Sequence, residues 1–389
     1  MRFFHLSDLH IGLRLLEQDL HEDQAHILHE IVRMAGERQP DAVVIAGDIY
    51  DRAVPSAEAV SLFDHFIEEL LAAAPNTVMM AVSGNHDSAP RLDCYRALLA
   101  RQNVYMVGQP PMTEEEHIAC VTLRDEFGPV HFYLLPFVKP SMVKEVTGGG
   151  EDGAALSYAE AIGKLLGREA IDSSERNILV SHQFYLPGGA PADAVPRMSS
   201  ELRAVGNIDQ VPSALLAPFD YAALGHIHKP MKAGSEFYRY CGTPMQYSVD
   251  EAGQQKGILE VTLGEKTAAQ SGRTAIRVET LPLVPLRQVR QLRGSLEEVL
   301  AGASGDYVSV VLTERADQAD YDSREKLRLA FPRLLEVRRA DPGGAEYGEL
   351  CSAPAKLDPY SLALQFLGET DEKERAILKD VFETIQKVK

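Results

Sequence analysis

The chain of 389 residues is 45% hydrophobic and 25% charged, with a formal net charge of −18. Such a length predicts one large domain with one or two small ones, and the balance is that of a soluble globular protein. The acidity argues against a broad basic surface that coats nucleic acid, although bound cations or a partner protein can carry the positive charge.

No apolar run is long enough for a membrane span, and Met1–Leu6 lacks the length and cleavage site of a signal peptide. A cytoplasmic protein is therefore expected. Cys94, Cys120, Cys241 and Cys351 are scattered without a C-x-x-C pair and read as buried free thiols in a reducing compartment.

Residues 2–7 are an apolar run ending at Ser7-Asp8, read as the first strand. Ile27, Leu28, Ile31 and Met34 fall at helical spacing and predict a helix over about 20–38, which Pro40-Asp41 breaks. The continuous run Ala42–Ala46 suits a strand buried on both faces. Ala59, Leu62, Phe63, Phe66 and Leu70 predict a second helix over 56–73, and Thr77–Val82 a third strand. Strand–helix–strand–helix–strand implies a parallel sheet covered by helices, whose ligands bind beyond the carboxyl ends of the strands.

Further strands fit Val130–Leu135, Asn177–Val180, Tyr221–Leu224 and Phe237–Cys241. Gly148-Gly149-Gly150 lacks the Lys-Ser/Thr of a phosphate-binding loop and reads as a plain loop. Ser271-Gly272 ends a hairpin pattern, and Pro282 and Pro285 mark a linker. Beyond it, a strand at 307–312, a helix at 323–331 and a strand at 334–338 suggest a small α+β domain. Helical pieces over 359–367 and 372–388 follow. The expected divisions are 1–275, 283–345 and 355–389.

Five short segments carry the chemistry, each after an apolar run: Asp8-Leu9-His10, Gly47-Asp48, Gly84-Asn85-His86-Asp87, Ser181-His182 and Gly225-His226-Ile227-His228. On an extended backbone, residues two apart share a face, so Asp8 with His10, and His226 with His228, would each grip from one side. The Asp48 carboxylate has two oxygens and can bridge two cations about 3.5–4 Å apart. Gly84 permits a sharp turn, the Asn85 amide oxygen is a hard neutral ligand, and the adjacent His86 is expected to do a different job. Asp87 can anchor backbone, and Asp51 reads as a turn residue or a support to a ligand. His5, His21, His26, His29, His65, His117 and His131 fall at no strand end and read as surface or structural groups. Any one segment alone is a common turn or a satisfied histidine; the joint set is what two divalent ions sharing a site require.

The order D-x-H, G-D, G-N-H-D, H, G-H-x-H resembles the calcineurin-like metallophosphoesterases. It is most similar to their DNA-nuclease branch, which works with a coiled-coil ATPase of the SbcC type. MRFFHLSDLHIG, GDIYD, GNHDSAPRL, ALGHIHKP and YRYCGTPMQYSVDEAG carry the resemblance, over about residues 1–265. It implies an α/β, four-layer fold, a two-sheet β-sandwich flanked by helices, with the small domain as a cap that orients DNA. It implies one metal on Asp8, His10, Asp48 and His228, and a second on Asp48, Asn85, His182 and His226, the ions being manganese. His86 would stand beside the scissile phosphate without binding metal. It further implies 3′-to-5′ exonuclease action on double-stranded ends and endonuclease action on single strands and hairpins, in DNA repair, recombination and replication. The terminal helices would dock on the ATPase, and the chain would pair with itself within a heterotetramer. The alternative is a phosphatase or cyclic-nucleotide phosphodiesterase.

Overall fold

The computed structural model describes residues 1–149, 155–188, 200–201, 209–267, 273–314 and 320–340. The apolar runs found along the sequence become strands β1 (Arg2–Leu6), β2 (Ala42–Ala46) and β3 (Val78–Val82), to which the structure adds β4 (Val104–Val107). These pair in parallel in the order of the chain. Their crossovers include α1 (His21–Arg38) and α2 (Ala57–Ala73), the latter opened by Ser56, whose side chain accepts from Ala59 N at 3.2 Å.

A second sheet contains β5 (Ala119–Asp125), β6 (Gly128–Leu135), β7 (Arg176–His182), β8 (Tyr221–Gly225), β9 (Met231–Lys232) and β10 (Tyr238–Tyr240). Its order is β9-β10-β8-β7-β6-β5. The hairpin β11 (Gly257–Thr267) and β12 (Arg273–Pro282) returns to the first sheet and extends it antiparallel beside β1. Ser271-Gly272, expected near the end of a hairpin pattern, lies outside the described residues, as do residues 150–154 of the glycine loop.

Strand alternation sorts these runs into layers. Phe3, Val44, Ala46, Met80 and Val82 face Phe132, Ile178, Val180 and Ala223 across the sandwich. Phe4, Val43, Ile45 and Met79 turn the other way, onto Ile27, Ile31, Phe63 and Phe66 of α1 and α2. On the far side, Leu135, Leu179 and Leu224 pack on Ile162 and Leu165 of α3 (Tyr158–Gly167). Helix, sheet, sheet, helix is the expected four-layer arrangement. Each fully buried phenylalanine contributes about 1.5–3 kcal/mol relative to leaving it exposed.

One polar group crosses the apolar seam. His5 Nδ1 lies 3.1 Å from the Tyr221 hydroxyl and Nε2 lies 3.2 Å from the Leu224 carbonyl. Burial pushes its pKa down to about 3, so the ring is neutral and ties the two sheets together.

Beyond the linker come β13 (Val289–Gly294), α4 (Leu296–Leu300), β14 (Tyr307–Leu312), α5 (Asp320–Ala330) and β15 (Arg333–Arg339). The sequence pattern marks β14, α5 and β15; the structure adds β13 and α4. All three strands are parallel, so the expected α+β character gives way here to alternating strand and helix. Val308, Val310, Leu312, Leu327 and Phe331 form a core of their own. Tyr307 faces the other way, and its hydroxyl donates to Asp23 Oδ2 of α1 at 2.7 Å, where Arg287 Nη1 also donates at 2.7 Å. Met1–Arg339 forms one compact unit. The helices expected within 355–389 lie outside the described residues.

Two cysteines correct the expectation of burial. Cys241 is buried, but Cys94 and Cys120 are exposed, Cys120 because it alternates with the inward-facing Val121 on an edge strand. Cys351 lies outside the described residues. Among the described residues, no helix is long and apolar enough to cross a membrane.

Replacing Tyr307 by phenylalanine removes one donor from the buried Asp23. The expected cost is about 1–3 kcal/mol, read as a lower urea midpoint at unchanged slope; an unchanged midpoint would contradict this docking role.

Candidate metal centre

Every ligand segment lies at a carboxyl strand end. The chain continues its ladder past β1 and β2: Asp8 N donates to Gly47 O at 3.0 Å, His10 N to Asp48 O at 3.0 Å and Ile11 N to Ile49 O at 2.9 Å. This pairing forces left-handed turns. Asp8, His10 and Asp48 have φ of 53°, 43° and 49°, and His226 has 97°. The segments are therefore not extended as expected, and the alternation rule applies only within the strand itself; Asp8 and His10 nevertheless converge on one cluster with His228. Such conformations are costly outside glycine and persist where surrounding contacts over-determine them.

Those contacts are present. Gln24 of α1 accepts from Gly12 N at 2.9 Å and donates to His10 O at 2.8 Å, and the Tyr247 hydroxyl donates to Leu9 O. Asp87 accepts from Ile49 N at 3.1 Å, Tyr50 N at 2.9 Å and Gly84 N at 2.8 Å, so one carboxylate staples two ligand loops. Burial pushes Asp87 up to about 6, with those three amides pulling against it. At Gly47 and Gly84 the chain passes too close for a side chain: a Cβ would stand 2.3 Å from His182 Nδ1 and 2.0 Å from Asp48 Oδ1, respectively.

At the centre is Asp48. Its Oδ1 accepts from His86 N at 2.9 Å, while Oδ2 lies 3.3 Å from His182 Nε2, 3.5 Å from His10 Nε2 and 4.0 Å from His86 Nε2. On one side, His10 Nε2 and His228 Nε2 are 3.1 Å apart, with Asp8 Oδ1 4.0 Å from His228 Nε2. On the other, Asn85 Oδ1 lies 3.0 Å from His182 Nε2 and 2.9 Å from His226 Nδ1. Asp8 also accepts from His226 N at 2.9 Å. The fold thus brings together all seven expected ligands, Asp8, His10, Asp48, Asn85, His182, His226 and His228. His86 sits against the same Asp48 oxygen. Ligand atoms of Asp8, His10 and His228, of Asp8, Asp48 and His182, and of His10, Asp48 and His86 each lie within 4.8 Å of one another. By distance alone His86 is as near as a ligand.

The donor set fits divalent cations. His182 donates Nδ1–H to the Ala46 carbonyl at 2.7 Å, which leaves Nε2 aimed at two more oxygens. A second proton or a cation has to lie between them. Burial lowers the His182 pKa, but Asp48 and Asp8 outweigh it and raise the ring to about 9. Burial likewise pushes Asp48 up, and His182, His10 and His86 together hold it well below the usual carboxylate range. Asp8 is raised to about 7, mainly by burial. His10 is lowered to about 3 and His228 well below the usual range, again by burial, so both present neutral nitrogens.

Asp51, expected as a turn residue or a support to a ligand, holds two of the rings: its carbonyl accepts from His86 Nδ1 at 2.8 Å, and its Oδ1 stands 3.9 Å from His10 Nδ1. Residues not singled out along the sequence complete the surroundings. Phe137 stacks on His226 with ring centroids 6.3 Å apart. Ser200 Oγ lies 2.7 Å from His228 Nδ1, and Asp209 Oδ2 3.8 Å from His226 Nε2. Ser200 and Asp209 have no periodic or strand-end signature, whereas Phe137 stands two residues past β6.

The sequence profile of the calcineurin-like phosphoesterases matches residues 1–230. The chain belongs to that family. It is a metal-dependent phosphoesterase, and the candidate ligand cluster lies wholly within the matched residues. SbcD, a component of the nuclease SbcCD of Staphylococcus epidermidis, is 30% identical over 346 residues, which cover 87% of this chain and 85% of that protein. Among solved structures, GAP50, the anchor in the inner membrane complex of Plasmodium, is 10% identical and covers 88% of this chain and 98% of its own. Its TM-score of 0.38 is too low to carry an argument.

Manganese binding to this phosphoesterase at pH 7 should release at least one proton, because His182 is raised to about 9 and Asp8 to about 7. Affinity should accordingly fall as pH falls. Calorimetry in two buffers of different ionisation enthalpy measures the release; none would contradict the protonation of His182.

Proposed function

We propose that this chain is a DNA nuclease of the SbcD type, acting in the cytoplasm with manganese and an SbcC-type coiled-coil ATPase. The observation that carries the phosphoesterase chemistry is Asp48 Oδ2, set 3.3 Å from His182 Nε2 and 3.5 Å from His10 Nε2. That single oxygen belongs to both ligand sets, which supports Asp48 as the bridge. Asp8, His10 and His228 would complete one site, and Asn85, His182 and His226 the other. Two divalent ions bound there would supply Lewis acidity, orient a phosphodiester and lower the pKa of water.

The remaining work falls to His86. Its Nδ1–H is taken up by the Asp51 carbonyl at 2.8 Å, so Nε2 is the atom turned toward Asp48. As an imidazolium it can donate Nε2–H from there to a phosphate oxygen or to the departing sugar oxygen. Its backbone amide meanwhile fixes the other Asp48 oxygen. A ring held in this way has one tautomer to offer.

The choice of DNA over small esters rests on the reach of the relative. Its similarity extends over 346 residues, well past residue 230 where the family match ends, and so takes in sequence that a phosphatase of this family does not need. The proposal includes exonuclease action on double-stranded ends, endonuclease action on single strands and hairpins, and a role in repair, recombination and replication. The small sheet would orient the DNA, residues 355–389 would dock on the ATPase, and two copies would pair within the complex.

His86→Ala should lower manganese-dependent cleavage of linear duplex DNA by about 10²–10⁴-fold while calorimetry still counts two ions. Loss of an ion in that variant would overturn the non-ligand role. Cleavage of nucleotide esters with linear duplex and hairpin DNA left intact would overturn the nuclease assignment.

A further inference from the structure

Behind His228 lies a buried polar cluster that the ligand set does not account for. Glu251 is 0% exposed and accepts from Ser200 Oγ at 2.9 Å, Ser248 Oγ at 2.7 Å and Thr243 Oγ1 at 3.2 Å. Lys256, also buried, pairs with its Oε2 at 2.6 Å and donates to the His228 carbonyl at 3.0 Å. Glu201 Oε1 accepts from His228 N at 3.0 Å. His228 is therefore held by backbone on both sides and by Ser200 at its ring.

We infer that Ser200 and Glu251 form a relay that sets the tautomer and orientation of the His228 ring, with both acting as positioning residues. This rests on the reading of Asp8, His10, Asp48 and His228 as one metal site. Ser200 has a single hydroxyl proton, and a carboxylate paired with lysine can only accept it. The Ser200 oxygen then faces His228 Nδ1 as an acceptor, at 2.7 Å. Nδ1 must carry the ring's proton, and Nε2 is left bare. Nε2 is the nitrogen 3.1 Å from His10 Nε2 and 4.0 Å from Asp8 Oδ1, where a cation would be shared. A carboxylate behind an imidazole ligand commonly fixes it in this way; here a serine hydroxyl stands between them.

The relay joins two distant pieces of chain. Ser200 comes from the stretch between β7 and β8, and Glu251 from the segment Thr243–Lys256 that follows β10. That segment includes Thr243-Pro244 and Ser248-Val249-Asp250-Glu251, marked in the sequence without an assigned role. Its Thr243 and Ser248 hydroxyls both donate to the Glu251 carboxylate.

The test is manganese affinity by calorimetry, together with the ¹⁵N shifts of the His228 ring in metal-free protein, for wild type, Ser200→Ala, Ser200→Thr and Glu251→Gln. Ser200→Ala should weaken one of two manganese sites by about 10–100-fold, leave the other intact and lose the single Nδ1–H tautomer. Ser200→Thr, which keeps the hydroxyl, should restore both. Glu251→Gln, where the amide can accept or donate, should give mixed tautomers and an intermediate loss. Should Glu251→Gln fail to fold because Lys256 is left unpaired, Ser200→Ala decides the matter. Two sites of wild-type affinity in Ser200→Ala, or in folded Glu251→Gln, overturn the relay. Wild-type protein that binds no manganese overturns the metal-centre reading itself, and the relay with it.

Discussion

Acceptor groups facing one another away from water are the constraint on which the rest of this structure depends. The Asp48 carboxylate, the Asn85 oxygen and the ring nitrogens of His10, His182 and His228 crowd within a few ångströms. Without protons or cations between them such a cluster destabilises any fold. The chain holds it by putting the ligands on two different sheets. Asp8, His10, Asp48 and Asn85 follow β1, β2 and β3, whereas His182 ends β7 and His226 and His228 follow β8. The sandwich core sets the separation of those strand ends, so packing of Phe3, Val44 and Val180 in the interior fixes a distance in the site. Ala46 makes the link directly: its carbonyl, at the end of β2, takes the proton of His182 across the seam.

Much of this was legible from residue pattern. Buried parallel strands are continuous apolar runs, so Ala42–Ala46 and Asn177–Val180 stand out, and the ligands follow wherever such a run stops. The paths taken by the backbone after the strands were not legible. Asp8 is only two residues beyond β1, yet continued pairing with Gly47–Ile49 drives it into a left-handed turn, and alternation loses its meaning there. Support residues were equally hidden. Gln24 sits on a helix, Tyr247 in an irregular segment and Ser200 between strands, and only tertiary contact makes them relevant.

The small sheet shows the same boundary between local and tertiary information. Val289–Gly294 carries two arginines and a glutamine and has no apolar alternation, so no strand is marked there by residue pattern. It becomes a strand because β14 offers it a ladder and Gln246 accepts from Val289 N at 2.8 Å. Cys120 makes the opposite case: its neighbours suggest burial, and its place on an edge strand exposes it.

Asp23 and Gln24 are neighbours on α1 with opposite duties. Asp23 receives Tyr307 and Arg287 from beyond the linker, and Gln24 carries the His10 loop. Val289 and Tyr307 also share one apolar cluster with Leu28, Met245 and Leu281. A protein trimmed at Pro282–Pro285 would retain every candidate ligand yet lose one wall of that cluster. The Asp23 carboxylate it bared would lie one peptide bond from a support of the metal loop. The folding unit and the chemical unit of this chain therefore have different borders, and an excised catalytic fragment should be less sturdy than its intact set of ligands suggests.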